Sequence, residues 1–114
     1  YAINMIRNIK ILKSKEEGVY RVAPYDFDFS GLVNPSYALP NVNYNQSSVR
    51  DRIFLGLCND QELANTMAHF INKKAALLQC VKDFKELSKN SRNDIKRYIL
   101  TFYNAIEDGE IIRP

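Results

Sequence analysis

"NIKILKSKEEGVYRVAPYDF", residues 8–27, reads as two strands and the turn between them. "NIKILK" (8–13) sets apolar Ile9 and Ile11 between polar residues before Leu12, the alternation of a half-buried strand. "SKEEG" (14–18) is polar and ends on Gly18, as a hairpin loop does. "VYRVAPYDF" (19–27) is rich in β-branched and aromatic side chains, which suit a second strand. Pro24 has no N–H to give to a ladder, so this strand is an edge at that point or ends there. An antiparallel hairpin is expected.

After the hairpin, "SGLVNPSYALPNVNYNQSSV" (30–49) is punctuated by Gly31, Pro35, Pro40 and several asparagines. Loops of this length are uncommon in a compact domain unless they have a task of their own. Leu32, Val33, Tyr37, Leu39 and Tyr44 give it too many apolar groups for a plain linker, so it is expected to lie packed and ordered. The second half has helical periodicity. "VRDRIFLGLC" (49–58) predicts a short helix with Ser48 as its N-cap. Asn59 or Asp60 then caps a long helix to about Val81, with Leu63, Met67, Phe70, Ile71, Leu77, Leu78 and Val81 near a 3.6-residue period. A last helix is predicted over 91–107. Its buried stripe is Ile95, Tyr98, Ile99, Phe102, Tyr103 and Ile106, with Gly109 as its stop and Pro114 ending the chain.

The fold class is therefore α+β. One domain of 114 residues divides into an N-terminal β-hairpin (1–30), an ordered loop (31–48) and a mainly α-helical bundle (49–114). The chain opens on Tyr1 and is expected to be a piece of a larger protein. With 46% apolar and 25% charged residues, the composition is that of a globular chain rather than a disordered one. No apolar run approaches the roughly 20 residues that span a bilayer. The net charge of +3 is local. Lys82, Lys85, Lys89, Arg92, Lys96 and Arg97 face only Asp83, Glu86 and Asp94 over residues 82–97. Interleaved acids favour a solvated helical connection there over a nucleic-acid surface. Cys58 and Cys80 read as separate thiols. A helix between them holds them roughly 30 Å apart at about 1.5 Å per residue, and a disulfide needs Cα atoms within about 7 Å. His69 is the sole histidine and reads as a partly buried structural residue.

The chemistry, if any, lies in "PYDFDFSG" (24–31). In an extended strand Asp26, Asp28 and Ser30 share one face, and Tyr25, Phe27 and Phe29 the other. Carboxylates two residues apart can converge on a hard cation such as magnesium, which takes oxygen ligands and one or two carboxylates beside phosphates. The competing reading is that the aspartates only shape a turn. Asn8 starts the first strand and Asp26 ends the second, so a hairpin brings both to its open end. Arg50 and Arg52, in "SVRDR", can reach phosphate groups by charge-assisted hydrogen bonds. Their alternative is to pair with Asp51, Asp26 or Asp28.

"NIKIL" and "VAPYDFDFSGLV" resemble the metal-binding half of atypical bacterial kinase-like proteins. The likeness runs to an uncharacterised bacterial group and, more distantly, to CotH- and HipA-type kinases. "PYDFDFSGLVNPSYALP", "SVRDRIFLGLC" and a closing Tyr-Ile-Leu-x-Phe-Tyr helix extend the likeness to that group over most of the chain. The likeness to kinases covers only about residues 8–31. It implies the C-terminal lobe of a kinase-like fold, with Asn8 and Asp26 as magnesium ligands, Asp28 as a second carboxylate and Mg2+ with ATP as cofactors. The pattern departs from kinases upstream. Residues 1–7, "YAINMIR", hold neither an acid to act as a base nor a glycine-rich phosphate loop before Asn8. The expected function is metal-dependent nucleotide binding in a phosphotransferase-like domain. It would be an enzyme if an N-terminal part is present. The alternative is a non-catalytic helical interaction domain with structural aspartates.

Overall fold

The computed structural model describes residues 8–54 and 56–110. Leu55, inside the short helix predicted over 49–58, and Pro114, expected to end the chain, lie outside them. Strand β1 (Ile9–Lys13) pairs antiparallel with β2 (Tyr20–Pro24), with Ile11 opposite Val22 and Ile9 opposite Pro24. Gly18, at φ 67°, takes the left-handed conformation that closes the turn, and Ser14 N–H donates to the Val19 carbonyl at 2.9 Å. Glu17 and Arg21 pair across the turn at 2.9 Å. β2 stops at Pro24, where the ladder runs out of a donor.

Helix α1 spans Asp60–Asp83 and helix α2 spans Lys89–Glu107. α1 opens with a capping box. The Asn59 side chain accepts from Glu62 N–H, and Glu62 Oε2 accepts from Asn59 N–H, each at 2.9 Å. Ser88 caps α2 by accepting from Ser91 N–H at 3.1 Å, so the helix starts at Lys89, two residues before the predicted start. Gly109, at φ 70°, follows its last turn. Arg92, in the first turn of α2, donates back to the Phe84 and Leu87 carbonyls and so closes the five-residue connection between the helices.

The helices meet through α2's aromatic stripe. Phe70 and Phe102 pack edge to face with centroids 5.2 Å apart. Tyr103, 1% exposed, donates its hydroxyl to the Phe70 carbonyl at 3.0 Å, and Lys74 pairs with Glu107 at 3.0 Å. Ile9, Ile99 and Tyr103 are the buried apolar residues among those described. Every predicted stripe residue of α2 is at least partly buried.

The described residues of 49–58 do not form the predicted helix. They make a single turn, in which Asp51 N–H donates to the Ser48 carbonyl at 3.0 Å, and no regular structure follows it. The physical reason is legible in Arg50 and Arg52, which both engage Tyr98 on α2. Residues two apart point to different sides of a helix but to the same side of an extended chain. Ser48 caps no helix. Its hydroxyl accepts from Arg50 N–H at 3.1 Å. The bundle thus has two described helices rather than three.

The loop over 31–48 is internally tied. The Asp51 carboxylate accepts from Ser47 N–H, the Ser47 hydroxyl and Ser48 N–H at 2.7, 2.8 and 2.9 Å. Gln46 accepts from Asn41 N–H at 3.2 Å and donates to the Asp51 carbonyl at 2.6 Å. A short 3-10 turn, Val42–Tyr44, sits between these anchors, and Phe29 meets Tyr37 edge to face. Leu39 and Val42 are nevertheless 77% and 87% exposed.

Candidate functional site

The hairpin brings Asn8 and the Asp26 segment to one end. Tyr25 N–H donates to the Asn8 carbonyl at 2.8 Å, so Asn8 lies across from the residue before Asp26. Asn8 and Asp26 both adopt left-handed backbone, at φ 61° and φ 59°. Asn and Asp tolerate this region better than other residues with a side chain, and it turns the backbone sharply at both strand ends.

Beyond Pro24 the chain leaves the sheet, so the aspartates do not share a strand face as the alternation suggests. They converge by another route. Asp26 turns left-handed, and Asp28 leads into a turn in which Ser30 N–H donates to the Phe27 carbonyl at 2.8 Å. The Asp26 carboxyl acts on that of Asp28 by hydrogen bonding and by charge. Asp28 is held above the ordinary carboxylate value chiefly by this hydrogen bond to Asp26, then by partial burial and by the Asp26 charge. Backbone N–H groups of Phe29 and of Asp28 itself pull in the opposite direction.

Asp26 and Asp28 are the carboxylates here that could face a cation, with the Asn8 backbone across from the residue before Asp26. No group of three or more His, Cys, Asp or Glu residues is gathered to hold a metal among the described residues.

Arg50 and Arg52 are turned to α2. Arg50 grips Asp94 with both terminal nitrogens, Nη1 to Oδ1 at 3.1 Å and Nη2 to Oδ2, and donates Nε to the Gly31 carbonyl at 3.0 Å. Arg52 donates to the Thr101 hydroxyl at 2.9 Å and to the Tyr98 carbonyl at 2.5 Å. Their guanidinium carbons lie 4.9 and 4.1 Å from the Tyr98 ring centre. Among the described residues neither arginine pairs with Asp51, Asp26 or Asp28, the partners expected for them in sequence, because both are committed to α2. Asp94 is held below the ordinary carboxylate value by the Arg50 hydrogen bonds, and Asp51 by the Ser47 hydroxyl and the two serine N–H groups.

Gly31 is where this knot approaches the aspartate loop. A Cβ there would collide with the Tyr98 hydroxyl and lie 2.9 Å from the Val49 carbonyl oxygen, so glycine is required for space. Sequence reading missed Asp94 and Tyr98 as partners of the arginines. The alternate spacing of Arg50 and Arg52 was the available signal, since it suits an extended segment that places both on one neighbour. His69 is exposed, with its ring edge to Phe70. Cys58 and Cys80 are both free thiols. No helix among the described residues is long and apolar enough to cross a membrane.

No protein-family model, no curated protein and no solved structure matches the chain. The likeness to kinase-like proteins rests on the quoted motifs alone.

Proposed function

We propose that the open end of the hairpin is a magnesium–nucleotide site of a phosphotransferase-like domain, with Asn8, Asp26 and Asp28 as its ligands. The observation that supports this reading is the bond from Tyr25 N–H to the Asn8 carbonyl at 2.8 Å, which sets Asn8 across from the segment that carries Asp26 and Asp28. Magnesium would supply charge neutralisation at the phosphate oxygens of a bound nucleotide. The chain's own part is to hold two oxygen-donor carboxylates at the exit of β2. It also fixes the Asn8 backbone opposite them through the Tyr25 N–H bond. Arg50 and Arg52 are left to α2 in this reading, and no residue is assigned as a catalytic base.

The test is calorimetric titration of Mg-ATP into wild-type protein and the Asp26→Asn variant. The expected result is saturable binding that the variant loses. Equal heats in the two proteins sink the reading.

A second reading, a non-catalytic interaction domain, is favoured by one observation. Ile11, Tyr20 and Val22 share a face of the hairpin and are 54%, 65% and 55% exposed, an apolar surface with no cover among the described residues. In this reading the aspartates are turn formers, and Asp26→Asn leaves partner binding intact while Val22→Glu abolishes it.

A further inference from the structure

We propose that Arg50, Arg52 and Arg97 form a phosphate-binding site on the face of α2, separate from the aspartate pair. An open cavity of about 470 Å3 is lined by Arg50, Asp94, Arg97, Tyr98 and Thr101. Arg52 borders it through its bonds to the Thr101 hydroxyl and the Tyr98 carbonyl. Arg50 and Arg52 lie against the same Tyr98 ring, at 4.9 and 4.1 Å from its centre. Arg97 reaches the same Asp94 oxygen as Arg50, at 3.4 Å against 3.1 Å. Three guanidinium groups are thus gathered around one ring and one carboxylate.

The charges do not balance. Asp94 answers Arg50 with two bonds and Arg97 with one long one. Arg52 bonds to neutral oxygens, the Thr101 hydroxyl and the Tyr98 carbonyl. Asp51 stands between Arg50 and Arg52 in sequence, and its bonds come from the neutral Ser47 and Ser48 donors, which leave its charge in place. Three positive charges against these two negative ones leave a positive excess, which a phosphate anion offsets. Arginine forks suit phosphate oxygens in geometry as well as in charge. Arg97 is 78% exposed at its side chain and keeps donors free to close on such a group.

The proposed ligand is a phosphate anion, either free or at the end of a small phosphomonoester. This inference does not rest on the magnesium reading, and no aspartate of that site enters its test. The experiment is titration of the protein at neutral pH and constant ionic strength with inorganic phosphate, with methyl phosphate and with chloride. Arginine side-chain N–H signals and the backbone amides of residues 94–101 are followed by NMR. Saturable shifts in this set with phosphate, absent with chloride, are expected, and Arg97→Gln should weaken them about tenfold. Among the described residues Arg97 holds one long polar contact, to Asp94, so this variant keeps the structure, whereas Arg52→Gln also loosens the bonds to α2. Equal binding of both phosphates assigns the site to phosphomonoesters, and preference for inorganic phosphate assigns it to the free ion. Shifts that match chloride, or an unchanged affinity in Arg97→Gln, overturn the proposal.

Discussion

Arg50 and Asp94, 44 residues apart, are joined by two side-by-side hydrogen bonds that fasten the end of the long loop to the first half of helix α2. The same arginine donates to the Gly31 carbonyl at 3.0 Å, so one side chain links the aspartate loop, the extended segment and the helix. The hairpin and the helical pair are held together through this knot and the Tyr98–Gly31 approach.

Because the pair acts as a unit, its loss should be non-additive. Arg50→Ala and Asp94→Ala are each expected to lower the melting temperature, and the double variant to fall little further than the worse single one. Arg50→Lys should recover only part of the loss, since lysine cannot make the paired contact. A thermal double-mutant cycle checks this, and additive losses would show that the two residues act separately.

Gly31→Ala should destabilise the fold by about 1–3 kcal/mol, the usual cost of overpacking. The added methyl meets the Tyr98 hydroxyl and the Val49 carbonyl. Combining it with Tyr98→Phe removes one of those obstacles and should return part of the loss. Urea denaturation of the single and double variants measures both quantities.

Tyr103→Phe deletes the bond from the Tyr103 hydroxyl to the Phe70 carbonyl while keeping the ring in place. The expected cost is about 1 kcal/mol, the net worth of one neutral hydrogen bond. Amide exchange should quicken near Phe70 on α1 as well as on α2, because the bond joins the two helices. Faster exchange on α2 alone would contradict a bridging role.

The acids predict opposing pH effects. Asp51 and Asp94 have folded pKa values below the ordinary 3.8. Their stabilisation is present above that value and is lost as pH falls through the depressed folded values. Asp28 is raised above 3.8, so its contribution is full below that value and is lost as pH rises through the raised folded value. Asp28→Asn should therefore be more stable than wild type at neutral pH, with the difference closing in acid. Asp51→Asn should be less stable at neutral pH, and its difference should also close in acid. Denaturation curves across the acid range read both signs.

Magnesium bears on the same group. If the cation sits between Asp26 and Asp28, the Asp28 titration should move down when magnesium is added, because the metal's charge favours the ionised carboxylate. The Asp28 carboxyl carbon resonance reports this directly. A titration that does not move with magnesium leaves the carboxyl pair as a purely structural contact.

Much of the fold was legible from local chemistry. The 8–27 hairpin follows from its alternation and Gly18, and the two long helices follow from the capping by Asn59, the stop at Gly109 and the stripe ending in Ile106. The predicted helix over 49–58 failed because its conformation is decided at a distance. Arg50 and Arg52 are drawn together to α2, and local periodicity carries no trace of Asp94 or Tyr98. Strand alternation does not govern Asp26 and Asp28, because the sheet ends at Pro24 and a left-handed Asp26 with a following turn takes over the backbone. The exposure of His69 was missed because a helix of 24 residues that meets its neighbour at only a few positions leaves most of its circumference open, a tertiary fact.

The two-stranded sheet has an outer edge on each side that no described strand covers. Open edges of apolar strands are templates for adding further chains and growing into fibrils. Lys10, Lys13 and Arg21 interrupt these strands with exposed positive charge. Such residues act as gatekeepers, since stacked copies would bring like charges into register. Solubility at high concentration is thus tied to three side chains, and acetylating the two lysines should shorten the lag before aggregation.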